Sequence, residues 1–200
     1  MDRRELIQNF IDKRNYKNYL EIGVCSGYVL DNINVQKKTG VDPNTSTRAT
    51  IYKTSDDFFK ENKEIFDIIF IDGLHLKEQV YKDIKNSLKF ISKNGVILLH
   101  DCNPWSERVQ DRTIGEFCGG MVNEAWTGDV WKSWIKYRKE SEYLTFTFNF
   151  DCGIGCIDLS QKSNNPLQDM DINDNLLTYK FLDKNRQELL DLTDYENFSI

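Results

Sequence analysis

Hydrophobic and polar positions along the chain switch between a period of two and a period near 3.6, and the switches lay out the elements. Residues 66–72, Phe-Asp-Ile-Ile-Phe-Ile-Asp, are almost unbroken apolar sequence, as a strand covered on both faces should be. A similar run holds Tyr19, Leu20, Ile22 and Val24, interrupted by Glu21, and another is Val96-Ile-Leu-Leu99 leading to His100 and Asp101. Shorter strands are predicted at 40–42 and 49–53. Helical spacing places Leu6, Phe10 and Ile11 on one face of residues 3–14, and Val80, Ile84, Leu88 and Ile91 on one face of 76–91. Shorter helices follow Tyr28-Val-Leu30, ending before Lys37, and Ser55-Asp-Asp57, which caps a helix through Phe58 and Phe59. Asp129 opens a helix carrying Val130, Trp131, Trp134 and Ile135, and residues 176–192 hold the last one. Residues 143–150 and 152–159 alternate around Gly153 and Gly155 as an antiparallel hairpin at the sheet edge. Strands alternating with helices define an α/β protein with a mostly parallel seven-stranded sheet and helices on both faces. One crossover is trimmed, because only a polar loop at 44–48 separates the second and third strands.

Composition narrows the function. At 200 residues the chain reads as a single domain, with a core over 18–158 and a helical tail over 160–200. A net charge of −6, with lysines and arginines scattered, leaves no basic face for nucleic acid. The charged start is unlike a signal peptide, and no apolar run reaches membrane-spanning length, so a cytoplasmic protein without a membrane partner is expected. Five cysteines without a C-x-x-C pair read as reduced thiols. Cys102, Cys118, Cys152 and Cys156 would be the set for a zinc site, a lesser reading.

Candidate chemistry gathers at strand ends. In Tyr19-Leu-Glu-Ile-Gly-Val-Cys-Ser-Gly27 a strand runs into a glycine turn and a helix start, a place where backbone groups approach a nucleotide-like ligand. Asp42 closes the next strand about twenty residues on, the spacing at which a carboxylate reaches a ribose diol. The G-x-G-x-x-G fingerprint of dinucleotide enzymes is missing, and the spacing is E-x-G-x-x-x-G. A tight turn with two solvated carboxylates would explain the same residues without a ligand. With these motifs, residues 18–158 resemble the class I S-adenosylmethionine-dependent methyltransferases, which implies a Rossmann-like sheet. The resemblance assigns Glu21, Gly23, Ser26, Gly27 and Asp72 to the cofactor cradle, Asp42 to the ribose hydroxyls, and Ser55 and Asp56 to the adenine. An N-cap explains Ser55 equally well.

Asp72 and Asp101 end adjacent strands, so both carboxylates project from one carboxyl edge, where a hard divalent cation such as Mg²⁺ would suit them. The arrangement resembles the metal-assisted O-methyltransferases of catechols and antibiotic sugars. Their third ligand commonly follows the second acid, where this chain has Cys102, so Asn103, His100 or water would substitute. In the sugar-modifying enzymes the histidine of D-x-x-H is the general base, and His75 holds that position here; an imidazole is suited to taking a hydroxyl proton. His75 and His100 are the chain's two histidines. Trp131 and Trp134 are expected in the core. Trp105 and Trp126 are expected near the active edge as surfaces for stacking on a sugar or ring, with Gly115, Gly119, Gly120 and Gly128 letting that segment close as a lid.

Asp101-Cys-Asn-Pro-Trp105 is similar to the N-P-P-Y motif of nucleic-acid amino-methyltransferases, but lacks its second proline and follows the wrong strand. The strings Gly128-Asp-Val-Trp-Lys132 and I-D-G-x-H resemble small methyltransferases of surface-glycan gene clusters. O-methylation of a sugar, glycan or glycosylated metabolite is the function the resemblance implies. A non-catalytic S-adenosylmethionine-binding module and a nicotinamide-dependent oxidoreductase are its rivals.

Overall fold

The computed structural model describes residues 1–112, 126–163 and 167–198. Its centre is a seven-stranded sheet built from β1 (Asn18–Ile22), β2 (Lys37–Val41), β3 (Phe66–Ile71), β4 (Ile91–Leu99), β5 (Tyr143–Phe148), β6 (Ile154–Lys162) and β7 (Leu192–Thr193). The spatial order is β2-β1-β3-β4-β6-β5-β7. Only β6 runs against the others, pairing antiparallel with β4 and β5 while every other neighbour pair is parallel. The carboxyl ends of β1, β3, β4 and β5 therefore share one edge. This is the mostly parallel α/β sheet that the alternating pattern predicts and the Rossmann-like architecture that the resemblance implies.

Among the described residues, the helices α1 (Arg3–Arg14), α2 (Ser55–Glu61), α3 (Lys77–Ser87), α4 (Val130–Glu140) and α5 (Tyr179–Leu190) cover the sheet. Successive strand residues point to opposite faces, so each apolar strand feeds two cores. Leu20, Ile22, Ile69, Ile71, Ile97 and Leu99 pack with side chains of α2 to α5, among them Phe58, Ile84, Trp131, Trp134 and Leu189. Tyr19, Ile68, Phe70, Val96 and Leu98 pack with Leu6, Ile7, Phe10 and Ile11 of α1. Burying those four α1 side chains stabilises the docked helix by roughly 6–12 kcal/mol before its ordering entropy is subtracted. Trp131 and Trp134 are fully buried, as their helical spacing predicts.

The differences from the sequence reading are local. Residues 49–53 form no strand; a single parallel bridge, Val41 to Ile51, stands there, and the seventh strand is β7 at the opposite edge. The hairpin is present, yet β7 pairs beyond it, so it is not the edge. The segment after the glycine turn is a 3₁₀ turn at Leu30–Asn32 in place of an α-helix. Helix α3 ends at Ser87, and Ile91 opens β4; its 3.6-residue spacing from Ile84 and Leu88 is a coincidence of two adjoining elements. Thr54, not Ser55, caps α2, its hydroxyl accepting from the Asp57 N–H at 3.1 Å. Gly115, Cys118, Gly119 and Gly120, and with them the lid, lie outside the described residues. Among the described residues no helix is long and apolar enough to cross a membrane.

One buried charge ties the second layer together. Arg138 of α4 is 1% exposed, and its guanidinium donates to the carbonyls of Leu189 and Glu188 at the end of α5 and of Thr145 in β5. Burial pulls its pKa down to about 10, against the attraction of Asp191.

Candidate active site

The hydrogen-bond ladder carries the active edge past the formal strand ends. The Asp72 N–H donates to the Ile22 carbonyl at 2.8 Å, and the His100 N–H to the Ile71 carbonyl at 3.0 Å. Gly23 lies directly against this edge: a Cβ there would meet the Asp72 carbonyl at 2.1 Å, and its φ is +88°. The glycine is therefore required by the approach of the β3 end, a constraint that stands whether or not a ligand is bound. Asp101, a non-glycine residue at φ 63°, bends the chain sharply after β4 and is 3% exposed. A left-handed aspartate costs about 1 kcal/mol or more and is characteristic of functional edges.

Asp72, His75, His100 and Asp101 converge. His75 Nε2 is 3.4 Å from Asp72 Oδ1, and His75 Nδ1 is 3.2 Å from Asp101 Oδ2. His100 Nδ1 lies 3.3 Å from Asp72 Oδ1 and 3.1 Å from Asp101 Oδ2. Burial works against the charges of Asp72, His75 and His100, but the attractions around them win. Asp72 is held well below the usual carboxylate range by the charges of His100 and His75 close to its oxygens. The Asp72 hydrogen bond and the Asp101 charge lift His75 above the ordinary imidazole value, and the charges of Asp72 and Asp101 lift His100 further.

The loop bearing His75 is pinned from a distant segment. The Trp126 carbonyl stands 3.1 Å from His75 Nδ1, and the Trp126 ring stacks on the imidazole at 4.8 Å. The Asp129 N–H donates to the His75 carbonyl at 3.2 Å, and Asp129 Oδ1 accepts from the Lys77 N–H at 2.7 Å. Asp129 sits at the start of α4 but gives that helix no side-chain cap; it serves the first turn of α3, where Leu76 has no capping side chain. Gly128, at φ +55°, lets the segment pass, because a Cβ there would lie 2.0 Å from the His75 carbonyl. Trp126 thus faces His75, whereas Trp105 is 52% exposed.

Two members of the cluster escaped the sequence reading. Arg3 of α1 donates from Nη1 to Asp151 Oδ1 at 2.8 Å, stands 3.0 Å from His100 Nε2, and brings Nε within 3.8 Å of Asp72 Oδ2. Asp151, in the β5–β6 turn, also accepts from the Arg3 backbone N–H at 3.0 Å and faces His100 Nε2 at 3.3 Å. One signal was available: Arg3 and Arg4 occupy the first turn of a helix, where cations oppose the helix dipole and need another reason to be there.

The predicted cofactor residues divide into two groups. Asp42 reaches the glycine turn: Oδ2 accepts the Val24 and Cys25 N–H groups at 3.0 and 3.1 Å, and Oδ1 accepts from Asn44 at 2.9 Å. Gly27, at φ +82°, completes the turn, and Ser26 is exposed on it. Ser55 and Asp56 both accept from the Gln79 side-chain amide at 3.1 Å, which joins α2 to α3. Glu21 does not open onto the edge: it is 1% exposed and accepts the Tyr19 hydroxyl at 2.6 Å.

Burial pushes the Glu21 carboxyl up to about 8, from an ordinary value near 4.5. A raised folded-state pKa favours the folded protein below the unfolded value and loses that contribution as pH rises through the folded one. Glu21 should therefore cost stability progressively between about pH 4.5 and pH 8. Glu21→Gln should remove this slope and exceed the parent by about 2–4 kcal/mol at pH 8, with little difference at pH 5. Chemical denaturation of both proteins at the two pH values checks it; parallel pH slopes would show that Glu21 is not the source.

Cysteine clusters are not the metal chemistry of the described residues. Cys102 and Cys156 are fully buried, Cys118 lies outside the described residues, and the two groupings with metal-ligand spacing are Asp72–His75–Asp101 and His100–Asp151–Cys152.

With this geometry in place, the comparisons with known proteins agree on the fold. Residues 32–102 match the family model of a methyltransferase domain, a span that includes Asp42, Asp72, His75, His100 and Asp101 but not the glycine turn. No curated protein sequence matches the chain significantly. Among solved structures, a Staphylococcus aureus protein assigned as a caffeoyl-CoA O-methyltransferase superposes with a TM-score of 0.57 at 22% identity, covering 79% of this chain and 84% of that one. A Podospora anserina methyltransferase bound to S-adenosylhomocysteine gives 0.57 at 17% identity, covering 80% and 78%. A Bacillus cereus O-methyltransferase in complex with S-adenosylhomocysteine gives 0.52 at 16%, covering 78% and 80%. Residues 32–102 thus resemble a methyltransferase domain, and the fold is that of the O-methyltransferase structures to which the chain is similar.

Proposed function

We propose that the protein transfers a methyl group from S-adenosylmethionine to a hydroxyl of a sugar, glycan or glycosylated metabolite. The observation that carries this reading is the direct abutment of two parts: the Gly23 turn touches the Asp72 backbone, and Asp72 opens the loop holding His75. A cofactor held at the turn would therefore lie beside the one imidazole whose helix-start position suits proton removal. The cradle fits the cofactor. Asp42 fixes the turn through two N–H groups yet keeps lone pairs for a ribose diol, and Ser26 stands exposed next to it. S-adenosylmethionine supplies an electrophilic methyl on its sulfonium. The chain's own work is to orient the acceptor hydroxyl in line with that methyl and to take its proton at His75. Trp126 fixes the imidazole plane by stacking and by its carbonyl. The acceptor class follows from the resemblance of the I-D-G-x-H and Gly128–Lys132 strings, and exposed Trp105 offers a stacking face for a sugar.

Asp42→Asn tests the cofactor half, because the amide keeps an oxygen for the turn's N–H groups while losing the charge that would bind the ribose. Its affinity for S-adenosylmethionine should fall about ten- to hundredfold, the value of a charged hydrogen bond. Calorimetry on the folded variant measures it. Unchanged affinity would remove Asp42 from the cofactor site, and no binding to the parent protein would remove the methyltransferase reading itself.

A further inference from the structure

The two strand-end carboxylates raise the question of which ion they take, and the residues around them do not fit Mg²⁺. Mg²⁺ demands near-octahedral oxygen ligation. The position after Asp101 that would supply another oxygen is Cys102, fully buried, its thiol turned toward the carbonyls of Leu99 and His100 at 3.6 and 3.7 Å. Asn103 is committed elsewhere: its amide oxygen accepts from Arg186, and its Cβ packs against Gly153 in the β5–β6 turn.

What does face the carboxylates is nitrogen. His100 is 7% exposed, and its Nδ1 makes no hydrogen bond of acceptable geometry among the described residues, although it stands 3.3 Å from Asp72 Oδ1 and 3.1 Å from Asp101 Oδ2. A buried imidazole nitrogen aimed between two carboxylate oxygens, without the hydrogen bond that would explain it, is the donor a metal ion would use. Its other nitrogen is already engaged: Nε2 lies 3.0 Å from Arg3 Nη1 and 3.3 Å from Asp151, which Arg3 also holds. A carboxylate behind a histidine is the outer-shell arrangement that fixes the ring and tautomer of metal-bound imidazoles. The spacing agrees as well, since ligands at 2.0–2.1 Å from a tetrahedral ion stand roughly 3.3 Å apart.

We propose that Asp72, Asp101 and His100 form a mixed nitrogen–oxygen centre selective for a borderline transition-metal ion, with Zn²⁺ the tight representative, and not for Mg²⁺. The proposal deepens the methyl-transfer reading and rests on it for the ion's role, which would be to polarise the acceptor hydroxyl. This set replaces His75 of the Asp72–His75–Asp101 grouping with His100, whose Nδ1 stands as close to both carboxylates, and leaves His75 as the proton acceptor. The His100–Asp151–Cys152 grouping is the weaker alternative, because Asp151 is already spent on Arg3.

The test is calorimetric titration of chelator-stripped full-length protein with ZnCl₂, CoCl₂ and MgCl₂, with S-adenosylmethionine affinity measured on the same preparations. Zn²⁺ should bind at one equivalent, about a thousandfold or more tighter than Mg²⁺. That equivalent should disappear in Asp101→Asn. In His100→Ala the Zn²⁺ affinity should fall roughly a hundredfold or more, beyond what outer-shell changes cause, with Mg²⁺ affinity unaltered. Should His100→Ala fold poorly, the Co²⁺-loaded parent decides: intense visible absorption from low-coordinate, nitrogen-ligated Co²⁺ supports the centre, and the weak spectrum of an all-oxygen octahedral ion overturns it. Mg²⁺ binding as tightly as Zn²⁺, a Zn²⁺ equivalent that survives Asp101→Asn, or parental Zn²⁺ affinity in His100→Ala would each overturn it too. If the metal titration fails while S-adenosylmethionine binds, this inference alone falls; if S-adenosylmethionine fails to bind, the methyl-transfer reading falls.

Discussion

His75→Ala should lower turnover about 10²–10⁴-fold, the usual contribution of a positioned base, while leaving S-adenosylmethionine affinity nearly unchanged. On the transition-state scale that is roughly 3–5 kcal/mol. The reason is the chemistry of the acceptor. A neutral hydroxyl that attacks without losing its proton would give a high-energy oxonium product, so proton removal must accompany or precede transfer. The structure gives His75 the means for this. The Trp126 carbonyl and the Asp101 carboxylate flank Nδ1 and favour a proton there, while Nε2 faces Asp72 at 3.4 Å and takes the acceptor's proton once it is itself deprotonated. No cofactor contact is assigned to His75, so binding and turnover should separate. Steady-state kinetics with a true acceptor, beside calorimetry with the cofactor, makes the measurement. Near-native turnover in the variant, or parallel loss of binding and activity, would show that His75 is not the base.

Arg138→Ala should be the most destabilising single change outside the site, by about 3–5 kcal/mol. Truncation leaves the carbonyls of Leu189, Glu188 and Thr145 buried without their charged donor and opens a cavity between α4, α5 and β5. Arg138→Met separates the two causes, because it restores most of the volume and none of the donors. It should recover part of the loss and no more. Urea denaturation of the three proteins gives the comparison. If both variants lie within 1 kcal/mol of the parent, the buried guanidinium is not what joins α5 to the sheet.

Much of this could be read from sequence because the information is local. The apolar runs at 66–72 and 96–99 point to two neighbouring parallel strands, and with them to the convergence of Asp72 and Asp101 on one edge. His75 followed from being three residues past a strand end. What escaped was carried by contacts between distant segments. Arg3 meets Asp151, and His75 meets Trp126, across separations of 148 and 51 residues, with no periodicity to announce either. Asp129 opens its own helix, as its place in the sequence predicts, but its side chain bonds the start of another, 52 residues back. The reading of Glu21 as a cofactor-cradle acid, or else as a solvated strand-end carboxylate, misses that its side chain is buried. Its partner Tyr19, two residues away on the same face, was the unused clue. The strand expected at 49–53 is β-branched and apolar in part, but one bridge is all the short loop before it allows.

The two outer margins of the sheet bear on how the protein behaves when crowded. A long strand with its backbone groups open to solvent is a template for pairing with another chain. Here one margin is β2, where Gly40 is already bonded to Thr50 and Ile51 and the outer half carries Lys37 and Lys38. The other is β7, two residues long and followed by a 3₁₀ turn at Tyr195–Asn197. Neither margin offers more than a few free backbone groups in a row, and one of them is charged. Strand-to-strand addition is therefore disfavoured at both margins of the described sheet.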